Sequence, residues 1–210
     1  AKVGLYDPAN EKDSCGVGFV ADMNGRPNHS IVVEADTALR RMDHRGGCGC
    51  ETNTGDGCGM LTALPHKFFR RIAQNELSTE LPEPGRYAAG NIFLPDDPAE
   101  RARCKSTIEA IVNQQNQVLI GWRTVPTQPD LADIGPTARA SMPVVEQLFI
   151  GAADGIEADA FERQLYIIRK LSTTTLRNDQ SLVQRSYFYI CTLSSKVIVY
   201  KGMLTPGQLF

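Results

Sequence analysis

Apolar and polar positions alternate along the chain with two periods, one near two residues and one near 3.6, and the stretches predict strands and helices in turn. Residues 15 to 22 read as a first strand running into Asn24-Gly25, a turn dipeptide that starts a hairpin. From Glu34 to Asp43 the apolar residues Ala35, Ala38, Leu39 and Met42 fall at i, i+3, i+4 and i+7, so one helix face packs while Arg40 and Arg41 turn outward. That helix ends in His44-Arg45-Gly46-Gly47. The stretch Gly46 to Gly59 is too rich in glycine for an element interior and reads as a binding loop, where the backbone approaches something closely. A strand from Met60 to Leu64 follows, then a helix with Pro65 at its first position and Phe68, Phe69 and Ile72 along it.

The second half continues the alternation without a detectable repeat. Tyr87 to Leu94 is strand-like, and Asp97-Pro98-Ala99-Glu100 has the form of a capping box that starts a helix with Cys104, Ile108 and Ile111 on its buried stripe. Val118 to Val125 is the next strand, Pro126 to Pro136 a loop with three prolines, and Pro143 to Ile150 another strand. Glu157 to Leu176 carries the longest helical pattern, with Phe161, Leu165 and Ile168 on one face. Tyr187 to Leu193 and Lys196 to Tyr200 read as two adjacent strands joined at Ser194-Ser195. Strands and helices in this order predict a layered α+β chain, and no compositional break divides residues 15–210.

Composition narrows the function classes. With 210 residues, 42% hydrophobic and 22% charged, the chain has enough apolar side chains for a core. Lys and Arg number 22 against 24 acids, for a net charge of −2, and no basic run stands out, which argues against nucleic acid or an anionic membrane as partner. No apolar run has the length of a transmembrane helix, and residues 1–14 lack the apolar core of a signal peptide, so the expected location is the cytoplasm. Six cysteines in a chain this well supplied with aliphatics are expected to be reduced thiols. Cys48-Gly49-Cys50 with Cys58 lacks the second complete pair of a structural zinc site, so no metal is expected and the thiols are read as small residues of a glycine-rich loop.

The candidate chemistry starts at Cys15, which has two readings. In a strand it is a small buried hydrophobe. If the Ser14–Cys15 peptide bond is cut, Cys15 gains an α-amino group with a pKa of roughly 7.7 to 8.0, able to take the proton of its own thiol, and one residue supplies nucleophile and base. Arg45, beside a glycine turn, is suited to gripping a carboxylate through two parallel hydrogen bonds, or else is a solvated surface arginine. His44 is given a packing role, because the terminal amine already supplies a base. Asp56 orients its loop, meets a ligand ammonium or forms an Asx turn, and Gly46 and Gly57 are the accompanying loop contacts. His29 and His66 have no partner visible in the sequence, and Asp96-Asp97 is read as a helix cap.

Three segments carry a resemblance to a known family. Cys15-Gly16-Val17-Gly18-Phe19, the helix ending Arg41-Met42-Asp43-His44-Arg45-Gly46-Gly47, and Thr54-Gly55-Asp56-Gly57 resemble the start of the glutamate synthase large subunit. Residues 4–8 (GLYDP) through Lys12-Asp13-Ser14 are similar to its propeptide, and residues 185–189 (RSYFY) and 199–204 (VYKGML) to its late hairpin.

The resemblance implies an N-terminal-nucleophile fold, a four-layer αββα sandwich incomplete at its C-terminal end, with a leader at 1–14 and a class II glutamine amidotransferase domain over 15–210. It implies that Cys15 attacks the glutamine amide to give a glutamyl thioester and ammonia, that Ser14–Cys15 is the processing site, and that Arg45 holds the substrate carboxylate. No cofactor is expected in this segment. FMN and an iron-sulfur cluster are expected in the rest of the parent enzyme, where ammonia combines with 2-oxoglutarate, and that remainder or other subunits are the expected partners. The family's oxyanion hole comes from an Asn-Gly pair in a later motif, followed by an Asp for the ammonium. The Asn-Gly pair here, Asn24-Gly25, lies in the first turn, so a fragment with little activity of its own is expected. The alternative is an unprocessed or truncated, non-catalytic domain with a structural or regulatory role.

Overall fold

The computed structural model describes Gly4, residues 15–48 and residues 51–210. Its elements run α1 (His29–Arg41), β1 (Cys58–Ala63), α2 (His66–Glu76), β2 (Tyr87–Leu94), α3 (Pro98–Gln114), β3 (Val118–Thr124), α4 (Pro136–Ala140), β4 (Val144–Gly151), α5 (Ala158–Asn178), β5 (Tyr189–Ile190) and β6 (Val197–Gly202). Two antiparallel sheets result, one of four strands in the order β3-β4-β2-β5 and one of two strands, β1-β6. α3 and α5 cover the outer face of the four-stranded sheet and α1 lies beside β1, so the chain is a mixed α/β layering of the expected class.

The centre is β2, paired with β4 from Tyr87↔Gly151 to Leu94↔Val144. Side chains alternate across a strand, and β2 divides two cores. Ala88, Ile92 and Leu94 pack with Cys104 and Ile108 of α3 and Phe161, Leu165 and Ile168 of α5. Tyr87 and Ala89 pack the other way, with Phe69 and Ala73 of α2, Phe149 of β4 and Ile198 of β6. Polar bonds cross the same gap: Asn91 Nδ2 donates to the Val199 carbonyl at 2.8 Å, and Gln147 Nε2 donates to Tyr200 Oη at 3.0 Å. The far side of the two-stranded sheet is thinly covered. α1 packs beside β1 and the 3-10 turn Pro206–Gln208, no residue of α1 is buried, and Leu61 of β1 is 61% exposed.

Local signals explain where helices begin. Asn28 caps α1 by accepting from Ser30 N at 3.0 Å, which starts the helix five residues before Glu34, the predicted beginning. Asp97 caps α3 by accepting from Ala99 N and Glu100 N, with Pro98 in the first turn. The capping box is only half made, because Glu100 bonds the amides of Val183 and Gln184 instead of reaching back, and Gln184 Oε1 takes the Asp97 N–H. Pro65 sits at the N-cap of α2, one place before its predicted position. α4, a short helix opened by Pro136, stands at the end of the proline loop.

Two predicted strand arrangements are corrected. Residues 15–22 form no strand, and Phe19 is 93% exposed. The Asn24-Gly25 turn is present, with Gly25 N donating to the Asp22 carbonyl at 2.9 Å, but the chain leaves it for α1 and not for a hairpin partner. Alternation alone does not make a strand; a neighbour must take up its backbone bonds, and among the described residues none pairs with this segment. The predicted strand Tyr187 to Leu193 shrinks to Tyr189–Ile190 behind a 3-10 turn at Arg185–Tyr187. It joins β2, whereas β6 joins β1, so Ser194-Ser195 carries the chain between sheets and does not close a hairpin. Glu162 of α5 fixes that crossing, accepting from the Ser194 hydroxyl at 2.5 Å and from Ser195 N and its hydroxyl at 2.9 and 2.7 Å.

Candidate functional site

Cys15 is an exposed free thiol, so its reading as a buried core residue is set aside. The backbone next to it lies against the end of α1. A Cβ built on Gly16 would stand 3.2 Å from both Arg45 Cβ and Met42 Sδ, and one on Gly18 would be 3.6 Å from Met42 Cε. The segment that bears the thiol therefore rests on the residue that bears the guanidinium. Ser14, and the leader at 1–14 apart from Gly4, lie outside the described residues.

Arg45 closes the 3-10 turn Asp43–Arg45 that continues α1, its amide donating to the Met42 carbonyl at 2.7 Å. Its side chain is exposed. His44 is exposed rather than packed. Its Nδ1 donates to the Arg41 carbonyl at 3.0 Å, which ties the ring to its own helix. Gly46 then turns the chain into the glycine-rich loop, its amide bonded to the Asp43 carbonyl at 2.9 Å.

The loop closes on itself at its base and is pinned at its tip. Cys48 and Gly55 form an antiparallel bridge, and Asp56 N donates to the Gly47 carbonyl at 2.9 Å. The Asp56 carboxylate covers the α-carbon of Gly47 so closely that a side chain there would collide with Oδ2. Gly57 has φ +135° and stands beside the Gly202 carbonyl. At the tip, Glu51 Oε2 accepts from the Thr54 hydroxyl at 2.5 Å and Oε1 from the Thr137 hydroxyl at 2.6 Å. The Thr137 amide also points at this carboxylate, 3.1 and 3.3 Å from its two oxygens. These donors hold Glu51 below the usual carboxylate range, the Thr137 hydroxyl first. Gly135 N and Gln208 Nε2 both donate to the Asn53 carbonyl, at 3.1 and 3.0 Å. Gly49 and Cys50 lie outside the described residues.

Sequence reasoning missed Glu51, Thr137 and Gln208. Their partners lie 86 and 155 positions away, beyond the reach of any local pattern. The other titratable candidates fall away from this place. His29 is the exposed first residue of α1. His66 Nδ1 bonds Tyr87 Oη at 3.2 Å, and burial pushes the Tyr87 hydroxyl up to about 12. Asp97 is a helix cap, as predicted. Burial pushes the thiols of Cys58, Cys104 and Cys191 up to about 11 each, which keeps them protonated and unreactive at neutral pH. A larger cavity of about 820 Å³ opens between the sheets and residues 125–143, with Asn91, Tyr200 and Phe210 in its wall, and Cys15, Arg45 and Asp56 are not part of it. Among the described residues no three His, Cys, Asp or Glu side chains converge as a metal ligand set, and no helix is long and apolar enough to cross a membrane.

The backbone next to an exposed thiol thus lies against Arg45, which leads into the glycine loop, and the chain has relatives that are glutamate synthases. It is 41% identical over 207 residues to the large chain of an NADPH glutamate synthase from Bacillus subtilis, covering 98% of this chain and 13% of that protein. It is 38% identical over 205 residues to ferredoxin-dependent glutamate synthase 1 of Arabidopsis thaliana, 98% of this chain and 12% of the relative. Against an NADH glutamate synthase of Schizosaccharomyces pombe the identity is 36% over 212 residues, 98% and 10%. The chain thus spans about a tenth to an eighth of the length of the relatives it matches. The sequence pattern of the glutamine amidotransferases class-II fits residues 15–210, beginning at Cys15 itself, and the chain belongs to that family.

Proposed function

We propose that this chain is the glutamine-hydrolysing part of a glutamate synthase, acting in the cytoplasm, and that Cys15 is its nucleophile. The observation that carries the reading is the packing of the Cys15–Gly18 segment against Met42 and Arg45, at the position where the family match begins. Glutamine lies with its α-carboxylate on the Arg45 guanidinium and its side-chain amide toward Cys15 Sγ, with Gly46, Asp56 and Gly57 lining its path. Once the Ser14–Cys15 bond is cut, the free α-amino group takes the thiol proton as sulfur attacks the amide carbon. The C–N bond breaks, the nitrogen leaves as ammonia with that proton, and a glutamyl thioester remains. Water cleaves the thioester to glutamate and restores the thiol. While the bond is intact the α-nitrogen is an amide with no basic lone pair, so the precursor is inactive.

In this reading the ammonia passes to the remainder of the parent polypeptide or to its other subunits, which carry FMN and an iron-sulfur cluster and join it to 2-oxoglutarate. No step derived for this chain runs through those groups. The test is Cys15→Ser in the full-length polypeptide. Glutamine-dependent glutamate formation is expected to vanish while synthesis from added ammonia persists, because a hydroxyl is a far weaker nucleophile at neutral pH. Equal loss with both nitrogen sources would remove Cys15 from the chemistry.

A further inference from the structure

The geometry points to Glu51 as a positioning residue for glutamine, one that acts through the loop and does not touch the substrate. This rests on the reading of the glycine loop given above. The base of the loop follows Arg45 directly through Gly46 and Gly47 and carries Asp56, while its tip is the turn in which Thr54 N donates to the Glu51 carbonyl at 3.2 Å. A loop with this much glycine has many conformations of similar energy, and something must select one. The Glu51 carboxylate is the side chain that joins the two arms of the selection. One oxygen takes the Thr54 hydroxyl within the loop, and the other takes the Thr137 hydroxyl on α4, 86 positions away.

The surroundings are built to this carboxylate. Gly135 leaves room for it, since a Cβ there would stand 2.6 Å from Glu51 Oε2 and 2.8 Å from Asn53 Oδ1 and would overlap Thr54 Oγ1. Thr54 is only 5% exposed, so an unpaired hydroxyl there would be left without water as a substitute. A neutral amide at position 51 keeps one acceptor oxygen and puts N–H groups in place of the other, so a threonine hydroxyl must turn round to accept and the charge-assisted bonds are lost. The tip is then held less tightly, and the error passes down the bridge at Cys48 and Gly55 to Asp56 and the turn bearing Arg45.

The experiment uses the full-length polypeptide carrying Glu51→Gln, Thr137→Val or Thr137→Ser, and the pair Glu51→Gln/Thr137→Val. Glutamine and ammonia serve as alternative substrates, and the half-protecting concentration of glutamine against alkylation of Cys15 is measured beside the kinetics. A displacement of about 1 Å costs on the order of 100-fold, so partial loosening is expected to raise KM for glutamine, and the half-protecting concentration, about tenfold in E51Q. T137V moves the same way by less, T137S stays at the wild-type values, and the double variant matches E51Q, because both changes cut one link. The kcat with ammonia stays unchanged throughout. Wild-type KM and protection in a folded E51Q would overturn the inference alone, as would parallel losses with glutamine and ammonia, which mark a merely structural residue. A wild-type protein that glutamine neither protects nor serves as substrate would overturn the proposed function together with it.

Discussion

Asp56 lies over the bare α-carbon of Gly47, its Oδ2 in the space that a side chain at position 47 would need. The two residues are also joined through the backbone, Asp56 N to the Gly47 carbonyl at 2.9 Å. Gly47→Ala is therefore expected to push Asp56 off the loop base. The clash is with the far end of an exposed side chain, so the carboxylate swings aside at little cost in stability and the chain stays folded. The expected result in the full-length protein is unchanged circular dichroism with kcat/KM for glutamine reduced and ammonia-dependent synthesis intact. Full glutamine activity in the variant would show that the loop base does not shape the site.

Arg45→Lys is expected to raise KM for glutamine roughly tenfold or more with a smaller effect on kcat, since a single ammonium cannot reproduce a two-bond grip on a carboxylate. Steady-state kinetics with glutamine varied decides it, and an unaltered KM would take Arg45 out of the binding site.

Thiol reactivity should follow exposure. Cys15 and Cys48 are exposed, whereas burial pushes Cys58, Cys104 and Cys191 up to about 11. In the native protein at pH 8, iodoacetamide is expected to modify Cys15 and Cys48 well before Cys58, Cys104 and Cys191. Peptide mapping by mass spectrometry gives the order directly. Early labelling of Cys104 or Cys191 would contradict the burial of these thiols, the first in α3 and the second just after β5.

The Glu51 carboxylate is held below its ordinary value of 4.5 by the hydroxyl of Thr137, then that of Thr54, then the Thr137 amide. A depressed acid stabilises the folded chain above its unfolded pKa, and that contribution is lost as pH falls through the folded value. The stability gap between wild type and Glu51→Gln should thus be constant from neutral pH down to about 5 and close below about 4.5. Urea midpoints measured across this range would refute the idea if the gap widened in acid.

In the core between α3 and α5, Leu165→Ala removes a wholly buried side chain and is expected to cost about 2–5 kcal/mol. Leu171→Ala on the same helix, where the leucine is 42% exposed, should stay within about 0.5 kcal/mol. Denaturant unfolding of the two variants side by side tests which face of α5 is inward.

What was legible in the sequence is what local chemistry decides. β2 could be read to the residue, because its apolar run packs on both faces, and α3 could be read from Asp97 and Pro98. Residues 15–22 were misread because an alternating pattern states a capacity to pair and says nothing of whether a partner arrives. Ser194-Ser195 looked like a turn because what makes it a crossing is Glu162, on another helix. The site divides the same way. Cys15 and Arg45 stand in short motifs that can be seen in isolation, while Glu51 gains its place from Thr137 and was invisible until the chain was folded.

The long separation between the loop and its supports has a consequence for synthesis. Asn53 waits for Gln208, 155 positions later, and Cys58 of β1 pairs with Gly202 of β6. At about 5–20 residues per second on the ribosome, an interval of that length lasts roughly 8–30 s. Throughout it Arg45 and the glycine loop have emerged without the strand and turn that brace them, and stalled nascent chains should show this as protease cutting within residues 46–57 that stops once position 208 is exposed. On the proposed function, glutamine hydrolysis is thereby withheld until the loop is braced, since Gln208 follows Asn53 by 155 positions.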